Sequence, residues 1–421
     1  MEITMSIFLP IKVDRRYKED FVSSPQFFEE VFSYEHIFNS ALLCKNNVMW
    51  KASVQNYMRN LEYNVSETLY LLEIDEFNFT DTREFYIFER GKLRHIKSIH
   101  IRERVAQKVL CLYCLNPLFH PKFIYDNGAS TKNKGLTFAI NRMKMMIDRH
   151  YRQYGTEGYV LLFDFKDYFG SINHDIALKM IGTEVKDKRL MKLIEESMKV
   201  YTTKEQVNRV GIGLGSELSQ FVALLFASPI DHLIKDDMRF KNYIRYMDDG
   251  WVLAETKEEL IELLDRIKEL CEQYDLHLNL KKTRIVPLRK GFVFLKKKIS
   301  IEDNGRIVMN ISPKSVSRKR RKLKKLKKKM LEGKITIKEI EGSYISWRGF
   351  AAQFDSYYTI QNMNNLYKEL FGYIPVDKKT RKKKRKHKIE KRINRLCEMS
   401  TQFPSQYENE SQRWGGIGIV T

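Results

Sequence analysis

Two adjacent carboxylates, Asp248 and Asp249 in the segment NYIRYMDDGWVLAE, are the residues with the clearest capacity for chemistry. Apolar, strand-like sequence flanks them on both sides, where a carboxylate pair is costly unless a cation neutralises it. A tight turn between two strands lets both approach one metal cluster. A third acid from elsewhere is expected, and Asp164 fills that place at the end of the apolar run YVLLF. Acids from separate strand ends can hold paired Mg2+ ions roughly 4 Å apart, one activating an attacking hydroxyl and the other stabilising a leaving pyrophosphate. A bare Asp-Asp pair is ordinarily a surface turn. The aromatic Tyr246 before this one, and the strand pattern around it, weigh against that reading.

The elements that must position these acids follow from hydrophobic period. GYVLLFDFKDYF (158–169) reads as a buried strand running into a turn, and NYIRYMDDGWVLAE as two strands about a tight turn. Lys257 to Tyr274 is an amphipathic helix. Residues 20–74 and 101–119 are helical in pattern, with REFYIFERGKLRHIKSIH between them as a hairpin turned at Arg90-Gly91. FIYDNGASTKNKG is a loop, Leu136 to Tyr154 a helix with a basic face, and further helices run to about residue 200. A glycine-containing loop then leads into a long apolar helix from Ser219 to Ile234. At least two more strands meet at Asn304-Gly305, a good hairpin turn. The pattern after residue 311 is helical and basic to about 372, and Pro375 separates a lysine-rich tail.

Charge narrows the class of partner. The 421 residues carry 75 Lys+Arg against 53 Asp+Glu, a formal charge of +22. Arg318 to Lys329 holds ten basic residues in twelve, and Lys378 to Lys388 nine in eleven. Clustered cations favour a polyanion, most often nucleic acid, because phosphate neutralisation releases counterions. The bland alternative is a solvated helix face or a solubilising tail. With 43% hydrophobic residues, most of the chain should fold. No run approaches about 18 apolar residues and the N-terminus has no basic leader, which points to a cytoplasmic protein without a membrane segment. Five scattered cysteines fit a reducing compartment, and the lone C-x-x-C of Cys111 and Cys114 reads as two core thiols rather than zinc or redox chemistry.

YMDD together with the upstream DFKDYFGSI resembles the palm of reverse transcriptases, over roughly residues 80–372. KLRHIKSIHIRERVAQ resembles the fingers segment of the bacterial enzymes, LHLNLKKTRI and GFVFL the later palm motifs and primer grip, and the basic helices after 311 occupy the place of the thumb. The resemblance implies an α+β, right-hand polymerase fold: an N-terminal helical extension (1–78), fingers (79–157), a palm of antiparallel sheet backed by helices with interleaved fingers elements (158–310), a helical thumb (311–375) and a basic extension (376–421). It implies that Asp164 and Asp248 chelate two Mg2+ ions, or Mn2+ in their stead, with Asp249 less directly engaged and the Phe165 carbonyl completing a site. Phe169 matches the bulky residue beneath the nucleotide sugar that selects dNTPs, although plain core packing is compatible with it. Lys92 and Arg94 match cations that hold triphosphate oxygens, and Lys282, with Lys281 its neighbouring alternative, a proton donor to pyrophosphate. Arg104 and Gln107 match positions that meet template or fingers; Tyr246 beside the acids and Lys322 and Lys325 in the basic run are further candidates for nucleic-acid contact. Trp347 fits packing of the thumb helices better than contact with a duplex.

Leu214, Gly215 and Gln220, in GIGLGSELSQ, resemble the nucleotide-binding variant of diversity-generating retroelements, with related variants in antiphage defence enzymes. After Phe294-Leu295 the family often has Gly where this chain has Lys296. The implied activity is RNA-directed DNA synthesis from dNTPs, yielding cDNA on a structured noncoding RNA, with an accessory protein or a second copy as further partners. Untemplated or DNA-templated nucleotide addition, and an inactive RNA-binding scaffold, are the competing readings.

Overall fold

A computed structural model describes residues 26–80, 82–89, 92–201 and 209–376. The N-terminal segment, the Arg90-Gly91 turn, the second basic run, Cys397 and the terminal SQRWGGIGIVT lie outside the described residues. The chain divides into unit 1, residues 1–308, and unit 2, residues 309–421.

Unit 1 begins with helices α1 (Gln26–Val31), α2 (Tyr34–Cys44), α3 (Ala52–Arg59) and α4 (Leu61–Glu73). Strands β1 (Thr82–Glu89) and β2 (Lys92–Ile99) then pair antiparallel from Thr82↔Ile99 to Glu89↔Lys92, as the alternating pattern predicts. The helix expected over 101–119 is α5 (Ile101–Val109), a wider π turn at Leu110–Leu115, and the short α6 (Asn116–Phe119), which has Pro117 in its first turn. Cys111 and Cys114 are buried free thiols in that π turn, and burial pushes both well above the usual thiol range.

Helix α7 (Leu136–Tyr154) precedes β3 (Tyr159–Asp164), whose Val160, Leu161, Leu162 and Phe163 are all buried. Then come α8 (Tyr168–Ser171), α9 (His174–Ile181), α10 (Lys188–Lys199), α11 (Glu217–Phe226) and α12 (Ser228–His232). The single apolar helix expected from Ser219 to Ile234 is thus broken into α11, α12 and a π turn at Leu233–Asp237. Ser216 caps α11 by accepting from the Ser219 amide, and Pro229, which cannot continue a helix, opens α12 after the break at Ala227.

Strands β4 (Tyr243–Tyr246) and β5 (Asp249–Ala254), helix α13 (Lys257–Gln273) and β6 (Arg284–Pro287) complete a four-stranded antiparallel sheet of order β4-β5-β3-β6. The acidic helix α13 starts on a capping box, with Thr256 and Glu259 satisfying each other's backbone amides. It buries Leu260, Leu263, Ile267 and Cys271, one helical face, in the core of the unit. A hairpin of β7 (Phe292–Phe294) and β8 (Lys297–Ile301) follows, and β8 leads through the Asn304-Gly305 turn to β9 (Ile307–Asn310), within which unit 1 ends. Helices with small antiparallel sheets make this a mixed α/β fold.

The described part of unit 2 contains α14 (Pro313–Leu331), α15 (Ile337–Ala351) and α16 (Tyr357–Phe371) around Leu323, Ile340, Tyr344, Met363 and Tyr367. The basic run forms most of α14, and Val316, Leu323, Leu326 and Met330 supply its one apolar stripe. Trp347 is partly buried against this core and stacks on Tyr344. No helix among the described residues is long and apolar enough to cross a membrane.

Candidate active site

The end of the four-stranded sheet gathers the three acids. Asp164 is the last residue of β3 and Asp249 the first of β5, and they are direct register partners. Tyr246 pairs with Asp249, so Met247-Asp248 is a two-residue hairpin turn. The turn carries Met247 at φ +55, a conformation that a non-glycine residue adopts only when its surroundings impose it. The next pair in the register is Phe163 with Gly250, and the Phe163 ring lies 2.1 Å from where a Cβ on residue 250 would stand. The glycine after the acids is therefore fixed by close approach, and the ring it admits packs β3 against the hairpin.

The electrostatics of this corner are those of crowded carboxylates. Asp248 and Asp249 are half-buried and Asp164 is 5% exposed. Burial, then the charges of Asp248 and Asp164, pushes the Asp249 carboxyl up to about 7; burial and Asp164 also raise Asp248. Two cations work against this, Lys282 and Lys296. The Lys282 ammonium donates to Asp164 Oδ2 at 2.6 Å, while Asn279 Nδ2 donates to Oδ1 at 3.2 Å. Desolvation opposes the charge on Lys282, but its hydrogen bond to Asp164 and the three acid charges hold its pKa above the ordinary lysine value. Among the described residues no three His, Cys, Asp or Glu side chains are grouped closely enough to hold a metal ion, and Asp164 is engaged by Lys282 and Asn279. In kind the donors fit a hard divalent cation: all are carboxylate oxygens, and two have their charged form disfavoured by burial and by negative neighbours.

Other residues singled out from the sequence surround this corner to different extents. Phe165 is buried and bridges Leu278, directly after Asp164. Phe169 is half-buried, its ring edge-on to Tyr168. Its carbonyl accepts from Ile212 N at 2.8 Å, which ties the loop of Leu214 and Gly215 to the segment after the first acid. Gly215 sits at φ +100, where glycine is favoured. The Gln220 Oε1 accepts from Ser130 Oγ at 2.8 Å, so α11 holds the loop before α7. Gly128 in that loop donates to the Arg245 carbonyl, and the Tyr246 ring lies 3.4 Å from the Cβ position of Gly128. Arg104 is half-buried on α5.

Gln107 is 2% exposed, and its amide donates to Ser197 Oγ at 2.6 Å, so it fastens α5 to α10. Lys92 and Arg94 are residues of β2 whose side chains lie outside the described residues. Lys322 and Lys325 are exposed on α14 of unit 2. Sequence reasoning missed Asn279, although it lies in the motif that supplied Lys282. It noticed Lys296 only as a departure from a family pattern. It also passed over Arg245, adjacent to the motif, and Asp231, whose burial only the fold reveals.

The family described as reverse transcriptase (RNA-dependent DNA polymerase) matches residues 83–325, more than half of the chain. Protein YkfC of Escherichia coli (strain K12) is 21% identical over 241 residues, covering 49% of this chain and 62% of that protein. The chain thus spans less than two thirds of that curated relative. Among solved structures, apo telomerase from Candida tropicalis truncated from its C-terminal domain matches with a TM-score of 0.41 and 13% identity, over 59% of this chain and 60% of that one. Apo telomerase from the same organism matches with a TM-score of 0.43 and 13% identity, over 55% and 49%.

Proposed function

The chain belongs to the reverse transcriptase (RNA-dependent DNA polymerase) family, and we propose that it is an active member, extending a primer with dNTPs on an RNA template. The observation that carries this reading is the register pairing of Asp164 with Asp249 beside a strained turn bearing Asp248. Asp164, Asp248 and the Phe165 carbonyl would hold two Mg2+ ions, with Asp249 supporting them. Bound there, the ions supply charge neutralisation and Lewis acidity at the phosphate oxygens. Lys282, already protonated beside Asp164, serves as the cation and proton donor for leaving pyrophosphate. Phe169 forms the floor under the nucleotide sugar, with Leu214, Gly215 and Gln220 beside the base, and Lys92 and Arg94 take the triphosphate.

In this reading residues 1–157 are the extension and fingers, 158–310 the palm, 311–375 the thumb, and 376–421 an addition to the minimal polymerase. Lys322 and Lys325 of the thumb, with Tyr246 and Arg104, contact nucleic acid. The template is a structured noncoding RNA, copied in the cytoplasm within a diversity-generating retroelement or an antiphage defence locus.

The test is dNTP incorporation by purified protein together with the RNA that co-purifies from its native locus. Product complementary to that RNA, reduced at least 1,000-fold in Asp248→Ala, is the expected result, given what loss of a central charge-stabilising group costs. RNA binding without any incorporation sensitive to Asp248 would overturn it in favour of a scaffold.

A further inference from the structure

The hairpin that carries Asp248 and Asp249 is held from behind by a buried ion pair. Asp231, near the end of α12, and Arg245, on β4, are both 0% exposed. Arg245 Nε donates to Asp231 Oδ1 at 2.7 Å and its second terminal nitrogen to Oδ2 at 2.6 Å, a two-pronged fit of guanidinium to carboxylate. Tyr243, two residues earlier on the strand, donates its hydroxyl to Asp231 Oδ1 at 2.7 Å. The same Arg245 nitrogen that meets Oδ2 also reaches the Leu224 carbonyl of α11 at 3.1 Å. The remaining terminal nitrogen points the other way along the chain and donates to the carbonyl of Met247 at 3.0 Å.

Met247 is the residue at φ +55 in the two-residue turn. Its carbonyl is the backbone group immediately before Asp248. The backbone of Arg245 is engaged as well, its amide donating to the Asp126 carbonyl at 3.2 Å and its carbonyl accepting from Gly128 at 2.8 Å. One residue therefore joins α11, α12, the loop before α7 and the turn itself. We infer that Arg245, locked by Asp231, is a positioning residue that holds the Met247-Asp248 turn in its strained form and so fixes where the two carboxylates stand; this rests on the polymerase reading above.

Geometry rather than charge carries the effect. Arg245 is neutralised by the carboxylate it grips, and the cations that act on Asp248 and Asp249 are Lys282 and Lys296. A lysine at 245 would keep the charge, but its single nitrogen could not span both Asp231 oxygens and the Met247 carbonyl. Arginine before the acids is thus required by shape, and Asp231 is required to keep that shape in one rotamer.

The test removes the network without leaving a buried charge. In the full chain, Asp231→Leu, Arg245→Met and Tyr243→Phe are combined, since apolar replacement of a whole buried ionic group is commonly neutral for stability, whereas removal of one partner is not. Expected are an unchanged melting temperature, unchanged affinity for the co-purified RNA and unchanged KM for dNTP, with kcat lowered about 100-fold, as slight misplacement of catalytic groups produces. Amide hydrogen exchange over residues 244–250 should quicken at least tenfold. Wild-type kcat together with wild-type exchange in a folded variant overturns the inference. Should the triple variant fail to fold, Arg245→Lys carries the same split, with kcat lowered and KM unchanged expected, and equal loss in both overturning it. If the wild type itself incorporates no dNTP, the polymerase reading fails, while the exchange comparison still decides whether Arg245 holds the turn.

Discussion

Arg245 in unit 1 and Lys319 in unit 2 are both cations withdrawn from water, one 0% and the other 7% exposed, yet the fold treats them in opposite ways. Arg245 is gripped by the carboxylate of Asp231. Lys319 has no carboxylate partner among the described residues: its ammonium donates to the Ser343 carbonyl at 2.7 Å and hydroxyl at 3.1 Å, beneath the Tyr344 ring. Burial, with some repulsion from Lys322, pushes its pKa down to about 8. A paired arginine is a fixed strut, because its charge cannot leave. A lysine held by neutral acceptors keeps the option of losing its proton. The difference places permanence beside the acid-bearing turn and leaves the titratable cation in the core of the helical unit.

The largest effect should come from breaking the pair on one side. Asp231→Ala strands the Arg245 charge at a fully buried site, which costs about 3–5 kcal/mol in comparable buried pairs. Urea unfolding followed by circular dichroism measures it. A loss below roughly 1 kcal/mol would mean that the guanidinium finds other compensation, and that the two buried cations differ less than their partners suggest.

Lys319→Met should act in the reverse direction. With a folded-state value near 8 against an ordinary 10.5, the unfolded chain holds a proton that the folded chain has released between those two values. Stability from this group therefore rises as pH climbs from about 8 to about 10.5, and below 8 the full penalty for burying the ammonium is present. That penalty is on the order of 1–3 kcal/mol, so Lys319→Met should stabilise the protein at pH 7 and flatten the rise above pH 8. Calorimetry of both proteins from pH 7 to 10 tests this, and an unchanged alkaline slope in the variant would assign the titration elsewhere.

How far these features could be read from the sequence depends on the range of the interaction behind them. The acid-bearing hairpin, the capping box of α13 and the basic helix α14 are local patterns, set by alternation, by Thr256 with Glu259, and by an apolar residue every third or fourth position. The division of the long apolar helix was also written locally, in Pro229, but apolar continuity masked it. The burial of Gln107 was not legible, because a polar residue on a helix declares nothing about burial until its partner, Ser197, is brought 90 positions along the chain to meet it. Asp231 and Lys319 escaped for the same reason. Lys319 sits inside a run that reads as uniformly solvated, and only the packing of α15 against α14 takes one lysine out of it.

The smallest effect separates that buried lysine from its neighbours. Lys322 and Lys325 are exposed on the same helix, so if the run meets nucleic acid, these two meet phosphate and Lys319 does not. Each lysine that neutralises a phosphate contributes about 0.7–0.9 to the slope of log affinity against log salt. Lys322→Ala with Lys325→Ala should lower that slope by about 1.5 for the co-purified RNA, weaken binding by roughly 1 kcal/mol at low salt, and leave thermal stability within about 0.5 kcal/mol. Lys319→Met should do the converse, changing stability and leaving the slope alone. Filter binding of the three proteins across 50–300 mM KCl distinguishes them. A slope that falls in Lys319→Met as well would show that the ammonium of Lys319 leaves Ser343 to meet the RNA, and that the contrast with Arg245 holds for the free protein alone.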